Sequence, residues 1–308
     1  MPPSAPRSWP ALAAAGVTVL LWASAFVSIR DAGASYSPGA LALGRLLSGS
    51  TVLVALLLAT RTGWPPRAAW PGIATSGVLW FGGYMVALNW GEQLVDAGTA
   101  AMVVNLGPVL ITLLGAVLLG EGLPRPLLWG TAVAFAGAVV VGVSTAEVGR
   151  APVAGVLLCL VAALTYAVGV VAQKPALRHA TALQVSAFGC LVGTLVCLPF
   201  AGLLVEEVAR APLRATLNMV YLGVFPTAVA FTTWAFALAR MPAGRLGVTT
   251  YLVPVLVVAL SWLLLDEVPR PLALLGGALC LAGVALSRRA AASPAPSTRR
   301  GEAAGRTP

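Results

Sequence analysis

The sequence predicts an all-α membrane protein in which ten transmembrane helices form two five-helix repeats of inverted orientation. Three observations support this prediction. Of the 308 residues, 59% are hydrophobic and only 9% are charged, whereas a soluble domain is about 25% charged. The hydrophobic residues fall in runs long enough to cross a hydrocarbon core of about 30 Å. The two halves of the chain also match each other position by position.

Each apolar run defines one predicted span. The first five spans lie near residues 10–29, 39–60, 72–91, 98–119 and 127–144. The other five lie near residues 152–172, 183–204, 217–238, 244–265 and 271–287. The predicted organisation is an N-terminal segment (1–9), a first repeat (10–145), a second repeat (152–287) and a tail (288–308). The tail is rich in Pro, Ala and Arg without an apolar period, so we expect it to be disordered.

The basic residues predict the orientation. Thirteen of the 19 Lys and Arg residues fall at one set of ends and loops, five fall at the opposite set, and Arg45 lies inside a span. Cytoplasmic loops carry the excess of Lys and Arg, so both termini are predicted to be cytoplasmic in a multi-pass protein of the inner (plasma) membrane. The basic residues stand singly between apolar runs, so the sequence pI of about 10.3 does not indicate a nucleic-acid partner.

The polar residues exclude several kinds of chemistry. The four cysteines all lie inside apolar spans, so neither a disulfide framework nor a metal site is predicted. The only lysine, Lys174, stands between Gln173 and Pro175 and cannot belong to a P-loop. No nucleophile, histidine and acid combine within the spans. We therefore predict no cofactor, no metal and no enzymatic activity.

The internal repeat is the strongest functional signal in the sequence. Residues 97–121 pair with residues 243–267 at a constant offset of 146, and Trp22 pairs with Tyr166 at an offset of 144. Because each copy has five spans, an odd number, the second copy must enter the membrane from the opposite side. Inverted repeats of this kind supply matching gates on the two faces of a central site, which is an architecture of secondary transporters.

Several segments also resemble a known family. The runs LLWASAFVSIRD, LALGRLL, AGTAAMVVNLGPVLITLLGAVLLGEGLPRP and AGRLGVTTYLVPVLVVALSWLLLDEVPRP are similar to EamA-type transporters of the drug/metabolite transporter (DMT) superfamily, over roughly residues 10–287. The resemblance implies the DMT fold, a central cavity lined by spans one, three, four, six, eight and nine, and export of amino acids, metabolites or drugs. Uptake of a small metabolite is the alternative within transport. A non-transporting membrane scaffold or sensor is the alternative from another class.

Two prolines at equivalent positions of the two halves predict breaks in spans four and nine. Pro108 and Pro254 each remove a backbone donor from the middle of a span. Paired breaks of this kind indicate a binding site at the middle of the membrane, although each proline alone also fits a packing kink. Asn105, Thr250 and Tyr251 lie one turn away and are candidates for the same cavity. Pro226, in span eight, predicts a third kink without a matching proline.

Polar and aromatic side chains on spans one, three, six and eight are further cavity candidates. They are Trp22, Trp80, Tyr84, Asn89, Tyr166, Gln173, Tyr221, Thr227 and Trp234. Each alone also fits an interfacial anchor or a hydrogen bond between helices. Together they predict a mildly polar, aromatic and uncharged cavity for a small-molecule substrate.

Arg45 has three possible roles. It is the only charge well inside a span, where it costs about 2.5–3.5 kcal/mol on insertion scales. It can provide the counter-charge for a carboxylate substrate, pair with Glu92 of a neighbouring span, or extend to the membrane surface.

Three glutamates at span ends are gate or coupling candidates. Glu121 and Glu267 are expected to cap helix ends or to make gate contacts with Arg125 and Arg270. No acid lies deep in a span, so Glu92 is the only candidate for a proton relay. We expect facilitated exchange or weakly proton-linked export.

Spans five and ten contain glycines that permit close helix packing. They are Gly130, Gly137, Gly276, Gly277 and Gly283. The packing they permit is either within one bundle or between two protomers of a homodimer.

Overall fold

Helices form the framework of the molecule. The structure, a computed structural model, describes residues 9–95, 100, 103–145, 153–256, 259 and 271–288, and within these ranges the chain contains no strand. One helical element lies at each predicted span. The elements are α1 (Trp9–Gly33), α2 (Pro38–Ala59), α3 (Arg67–Leu94), α4 (Leu106–Leu119), α5 (Arg125–Thr145), α6 (Val153–Ala176), α7 (Ala182–Arg210), α8 (Leu213–Leu238), α9 (Ala243–Thr249) and α10 (Pro271–Arg288).

The length and composition of these helices fit a membrane protein. In the described part of the chain, α2, α3, α6, α7 and α8 are long and apolar enough to cross a bilayer, and α1, α4, α5 and α10 contain shorter apolar helices. Several helices extend beyond the predicted ends by three or more residues. The helix α1 continues to Gly33, and α7 continues to Arg210 through an amphipathic segment that buries Leu204 while Glu206 and Arg210 stay exposed.

The packing of the helices repeats between the two halves. The helix α1 packs on α8 as α6 packs on α3, and α2 packs on its own counterpart α7. Ser50 and Thr194 hydrogen-bond at 3.0 Å although they are separated by 144 residues. Tyr251 Oη donates to the Asn105 carbonyl oxygen at 3.0 Å across a separation of 146 residues. Equivalent residues contact each other only near the axis that relates the two copies, so this axis passes through both contacts.

The glycines of α5 and α10 join these two helices within one chain. A Cβ on Gly137 would lie 2.7 Å from the Gly276 carbonyl oxygen, and one on Gly130 would lie 2.7 Å from the Gly283 carbonyl oxygen. Gly130 is the repeat partner of Gly276, and Gly137 is the repeat partner of Gly283. The two contacts are therefore exchanged by the same axis. The sequence left open whether these glycines pack within one bundle or between two protomers, and the structure shows packing within the bundle.

The end of α4 directs the chain back toward α6. Gly120 has a φ of 64°, in the left-handed region that glycine adopts without strain, and it terminates α4. The following Glu121 N–H then donates to the Gly115 carbonyl oxygen at 3.3 Å. This turn places the Glu121 side chain beside the end of α6.

Candidate substrate site

The middle parts of α3 and α8 are π-helical at equivalent positions. The two segments, Gly77–Gly83 and Gly223–Val229, are related by the repeat offset of 146. The first glycine of the α3 segment lies against α7, because a Cβ there would be 2.8 Å from the Gly189 carbonyl oxygen. The first glycine of the α8 segment lies in the same way against the Arg45 carbonyl oxygen of α2. Local π-helix is frequent at functional sites, so these segments mark the centre of the bundle as the candidate site.

The proline kink that the sequence predicted in α8 has a structural counterpart. Pro226 lies inside the α8 π-helical segment, and the equivalent residue of α3 is Trp80. The two helices therefore share one distortion although only the α8 segment contains a proline. Trp22 Nε1 donates to the Pro226 carbonyl oxygen at 3.2 Å, which connects α1 to this distortion.

Aromatic side chains from α1, α3, α6 and α8 meet beside the two π-helical segments. The ring centroids of Trp22 and Trp234 are 5.0 Å apart, those of Trp80 and Phe231 are 4.5 Å apart, and those of Trp80 and Tyr166 are 5.5 Å apart. Trp80, Trp234 and Tyr166 are buried, and Trp22 is partly exposed. We call these five residues the aromatic cluster. Four of them were predicted from the sequence as cavity residues, and Phe231 was not.

Arg45 is buried beside this cluster. Its side chain is 6% exposed, and its Nε donates to Thr227 Oγ1 of α8 at 2.7 Å. The interpretation that Arg45 extends to the membrane surface is therefore wrong, because the guanidinium is held inside the bundle by a second helix. Among the described residues no ion pair within 4.0 Å joins Arg45 to Glu92, but Glu92 lies near enough to act on the guanidinium electrostatically, so their relation stays a prediction.

The predicted breaks of spans four and nine lie one turn before each proline. The helix is interrupted at Asn105, ahead of the buried Pro108, and at Thr250 and Tyr251, ahead of the buried Pro254. The hydrogen bond from Tyr251 to the Asn105 carbonyl oxygen joins the two interruptions. Chain breaks from both repeats thus meet at one place, and their role in substrate binding stays a prediction.

Other candidates make hydrogen bonds or ring contacts between helices. Asn89 Nδ2 donates to the Pro38 carbonyl oxygen at 3.1 Å, and Tyr221 Oη lies 2.7 Å from Ser24 Oγ. Tyr84 is partly exposed and contacts the ring of Tyr166 at 5.7 Å. Asn89 and Tyr221 therefore join neighbouring helices, whereas Tyr84 adjoins the aromatic cluster.

The acidic candidates have different surroundings. Glu121 Oε1 forms an ion pair with Lys174 Nζ of α6 at 2.6 Å, so the predicted Arg125 partner is wrong. Arg125 is instead exposed at the start of α5. Glu92 is partly exposed near the end of α3. Glu267 lies outside the described residues, and its gate role stays a prediction.

Four buried polar side chains on α3, α6 and α8 have no hydrogen-bond partner within the described residues. They are Ser76, Tyr166, Gln173 and Trp234. Trp234 belongs to the aromatic cluster. Gln173 was predicted as a site residue because it is a polar residue in an apolar span. Ser76 and Lys174 were not predicted as site residues. Buried polar groups normally have partners, so these side chains mark polar surface inside the bundle.

Taken together, the repeat axis, the paired distortions and the central aromatic cluster define a helical membrane transporter of the inverted-repeat class rather than an enzyme. The chain belongs to the EamA-like transporter family, which matches residues 9–143 and 153–289.

Named relatives extend over most of this chain. The "Probable terminal-alkyne amino-acid exporter" of Streptantibioticus cattleyicolor is 38% identical, over 89% of this chain and 91% of the relative. The "Uncharacterized transporter YdfC" of Bacillus subtilis is 31% identical over 86% of each chain. The "Probable amino-acid metabolite efflux pump" of Escherichia coli is 27% identical, over 64% of this chain and 68% of the relative. A solved crystal structure matches with a TM-score of 0.77 at 27% identity, covering 92% of this chain and 99% of its own.

Proposed function

We propose that this transporter exports a small metabolite of the amino-acid class across a bacterial inner membrane by alternating access. The observation that carries the proposal is the pair of equivalent π-helical segments, Gly77–Gly83 and Gly223–Val229, which both adjoin one aromatic cluster. Equivalent distortions beside one site are suited to opening that site alternately to each face. The direction of transport rests on two relatives whose names describe an exporter and an efflux pump.

The ion pair of Glu121 and Lys174 is proposed as the gate on one face. Lys174 Nζ also donates to the Met241 carbonyl oxygen at 2.6 Å, and Glu121 Oε2 accepts the Gly244 N–H at 3.3 Å. The pair thereby ties the turn after α4, the end of α6 and the link between α8 and α9. The distribution of basic residues supports a cytoplasmic location for this face and for both termini.

Cysteine labelling tests this orientation. We expect His179→Cys, in the link between α6 and α7, to react with a membrane-impermeant maleimide in inside-out vesicles only. Arg210→Cys, at the end of α7, is expected to react in intact spheroplasts only. Both positions are exposed. The opposite pattern would place the termini outside the cytoplasm.

An efflux assay tests the function. Cells that express the chain are loaded with a panel of labelled amino acids, and we expect at least one of them to leave faster than from cells with an empty vector. Asn105→Ala should abolish that efflux at equal expression, and the exposed control Gln93→Ala should keep it. Faster accumulation instead of efflux would support the uptake alternative, and no flux of any compound would contradict transport of this class.

The coupling mode is proposed as facilitated exchange or weak proton linkage, with Glu92 as the candidate relay. In proteoliposomes without a pH gradient we expect exchange down a substrate gradient. If a pH gradient drives uphill flux and Glu92→Gln keeps that flux, both the facilitated mode and the Glu92 assignment are wrong.

A further inference from the structure

Arg45 is a buried positive charge that has no acid within 4.0 Å among the described residues, although Glu92 lies near enough to act on it electrostatically. The ion pairs of the described residues join Lys174 to Glu121, Arg210 to Glu206 and Arg214 to Asp31. A buried charge is costly unless an anion compensates it. Glu92 does not contact the guanidinium within 4.0 Å, so an anion in direct contact with it would add to the compensation that Glu92 provides.

The hydrogen bonds around Arg45 fix its orientation. Thr227 Oγ1 donates its single proton to the Leu222 carbonyl oxygen at 2.9 Å, so this oxygen acts as an acceptor toward Arg45 Nε at 2.7 Å. The Leu222 bond spans five residues and belongs to the π-helical region of α8. Because Nε is engaged, the two terminal amino groups of the guanidinium are left as a planar fork. This fork matches the two oxygens of a carboxylate.

The second repeat shows that the crossing of α2 and α8 does not require an arginine. The repeat offsets of 144 and 146 place Gly189 at the position of Arg45 and Phe81 at the position of Thr227. Gly189 and Phe81 are also in contact, since a Cβ on Gly189 would lie 3.0 Å from the Phe81 ring. The equivalent crossing of α7 and α3 thus packs with an apolar ring over a glycine. A purely structural role for the Arg45–Thr227 pair is therefore unnecessary.

We infer that Arg45 binds the carboxylate of the transported molecule and that Thr227 positions it. The inference rests on the proposed function and specifies the substrate class as carboxylic acids. The α-amino acids are one group of molecules that would supply this carboxylate. The aromatic cluster begins beside this carboxylate position, because Trp22 Nε1 is bonded to the carbonyl oxygen of Pro226, the residue before Thr227. The apolar part of the substrate would lie along these rings. An ammonium group there would meet aromatic faces, which attract cations.

Direct binding to the purified full-length protein in detergent tests the inference without relying on transport. Tryptophan fluorescence is titrated with neutral L-amino acids, with the amide of each, and with the acid that lacks the amino group. We expect at least one acid to bind about 10- to 100-fold more tightly than its amide, which is the effect of losing charge-assisted hydrogen bonds. Comparison with the deaminated acids decides whether the carboxylate belongs to an amino acid or to a simple acid.

Variants separate binding from folding. Arg45→Gln should abolish the preference for the acid and leave the affinity for the amide unchanged, Arg45→Lys should keep part of the preference, and Thr227→Val should reduce it. Monodisperse elution of each variant shows that it folds. Equal loss of acid and amide binding in Arg45→Gln, no preference in the wild type, or no binding of any acid would overturn the inference. Acid preference without efflux would instead overturn the proposed export alone.

Discussion

Replacing Lys174 with methionine removes the positive charge that connects three parts of the proposed gate. Lys174 Nζ lies 2.6 Å from Glu121 Oε1 and 2.6 Å from the Met241 carbonyl oxygen. The carboxylate also accepts the Gly244 N–H at 3.3 Å. Without the lysine, the turn after α4 and the link before α9 no longer share a partner on α6. We therefore expect this face of the bundle to open more often.

The size of the effect follows from the burial of the pair. The side chains of Lys174 and Glu121 are 19% and 12% exposed, so water screens their attraction only partly. Charge-assisted hydrogen bonds in such a setting contribute about 1.5–3 kcal/mol, and both groups regain water when the face opens. A net loss of about 2 kcal/mol changes the ratio of closed to open molecules about 30-fold. A ratio of about 100:1 would thus fall to about 3:1.

Ser76→Cys provides the reporter for this opening. Ser76 is buried on α3, and cysteine has nearly the same shape. The four native cysteines, all buried, are first replaced by alanine: Cys159, Cys190, Cys197 and Cys280. We expect Lys174→Met to increase the rate of maleimide labelling at position 76 in inside-out vesicles by at least tenfold. Glu121→Gln, which keeps an acceptor for Gly244, should increase it less.

Arg210→Met is the matched control. It breaks the Arg210–Glu206 pair, whose side chains are 77% and 54% exposed, and exposed pairs of this type contribute little. Labelling of the reporter should therefore stay unchanged. If Lys174→Met and Glu121→Gln also leave the labelling rate unchanged, or if Arg210→Met increases it equally, the ion pair does not close this face.

Two further predictions concern the repeat axis. Gly137→Leu places a side chain where even a Cβ would be 2.7 Å from the Gly276 carbonyl oxygen. Overpacking of this kind costs about 1–3 kcal/mol or more. The thermal unfolding midpoint in detergent should therefore fall sharply, or folded protein should be lost. Gly277→Ala, whose Cβ would have its nearest neighbour at 3.7 Å, should behave as the wild type, and a stable Gly137→Leu variant would contradict the close crossing. Ser50→Ala removes the 3.0 Å bond to Thr194 between α2 and α7. Membrane hydrogen bonds average about 0.6 kcal/mol, so scanning fluorimetry should show only a small decrease in the midpoint, and a large one would indicate a wider network.

The architecture was predictable from sequence because its signals are local or periodic. Ten apolar runs gave one helical element each, and the offset between the halves recurs in structural contacts such as Ser50–Thr194. The breaks near Pro108 and Pro254 were predictable because a missing backbone donor interrupts a helix wherever it occurs. Four members of the aromatic cluster were predictable because polar and aromatic residues are uncommon in apolar spans.

Features that depend on contacts between distant helices were not predictable in this way. The depth of Arg45 depends on Thr227, which the fold brings to it from α8. The partner of Glu121 was predicted to be the nearby Arg125, yet the turn at Gly120 directs the carboxylate to Lys174 on another helix. The π-helical segment of α3 contains no proline, and its first glycine, Gly77, packs against α7, a contact that the local sequence does not specify.

The scaffold is symmetric, whereas the site it contains is not, and this difference has a functional consequence. Alternating access requires equivalent movements on both faces, which the paired π-helical segments and the contacts on the repeat axis can provide. A symmetric site, however, would bind a small molecule in two opposite orientations. Here one copy contributes Arg45 and Thr227 where the other contributes Gly189 and Phe81. The charge therefore lies on one side of the axis only, and the proposed carboxylate site at Arg45 predicts that a molecule with one polar end and one apolar end binds in a single orientation throughout the transport cycle.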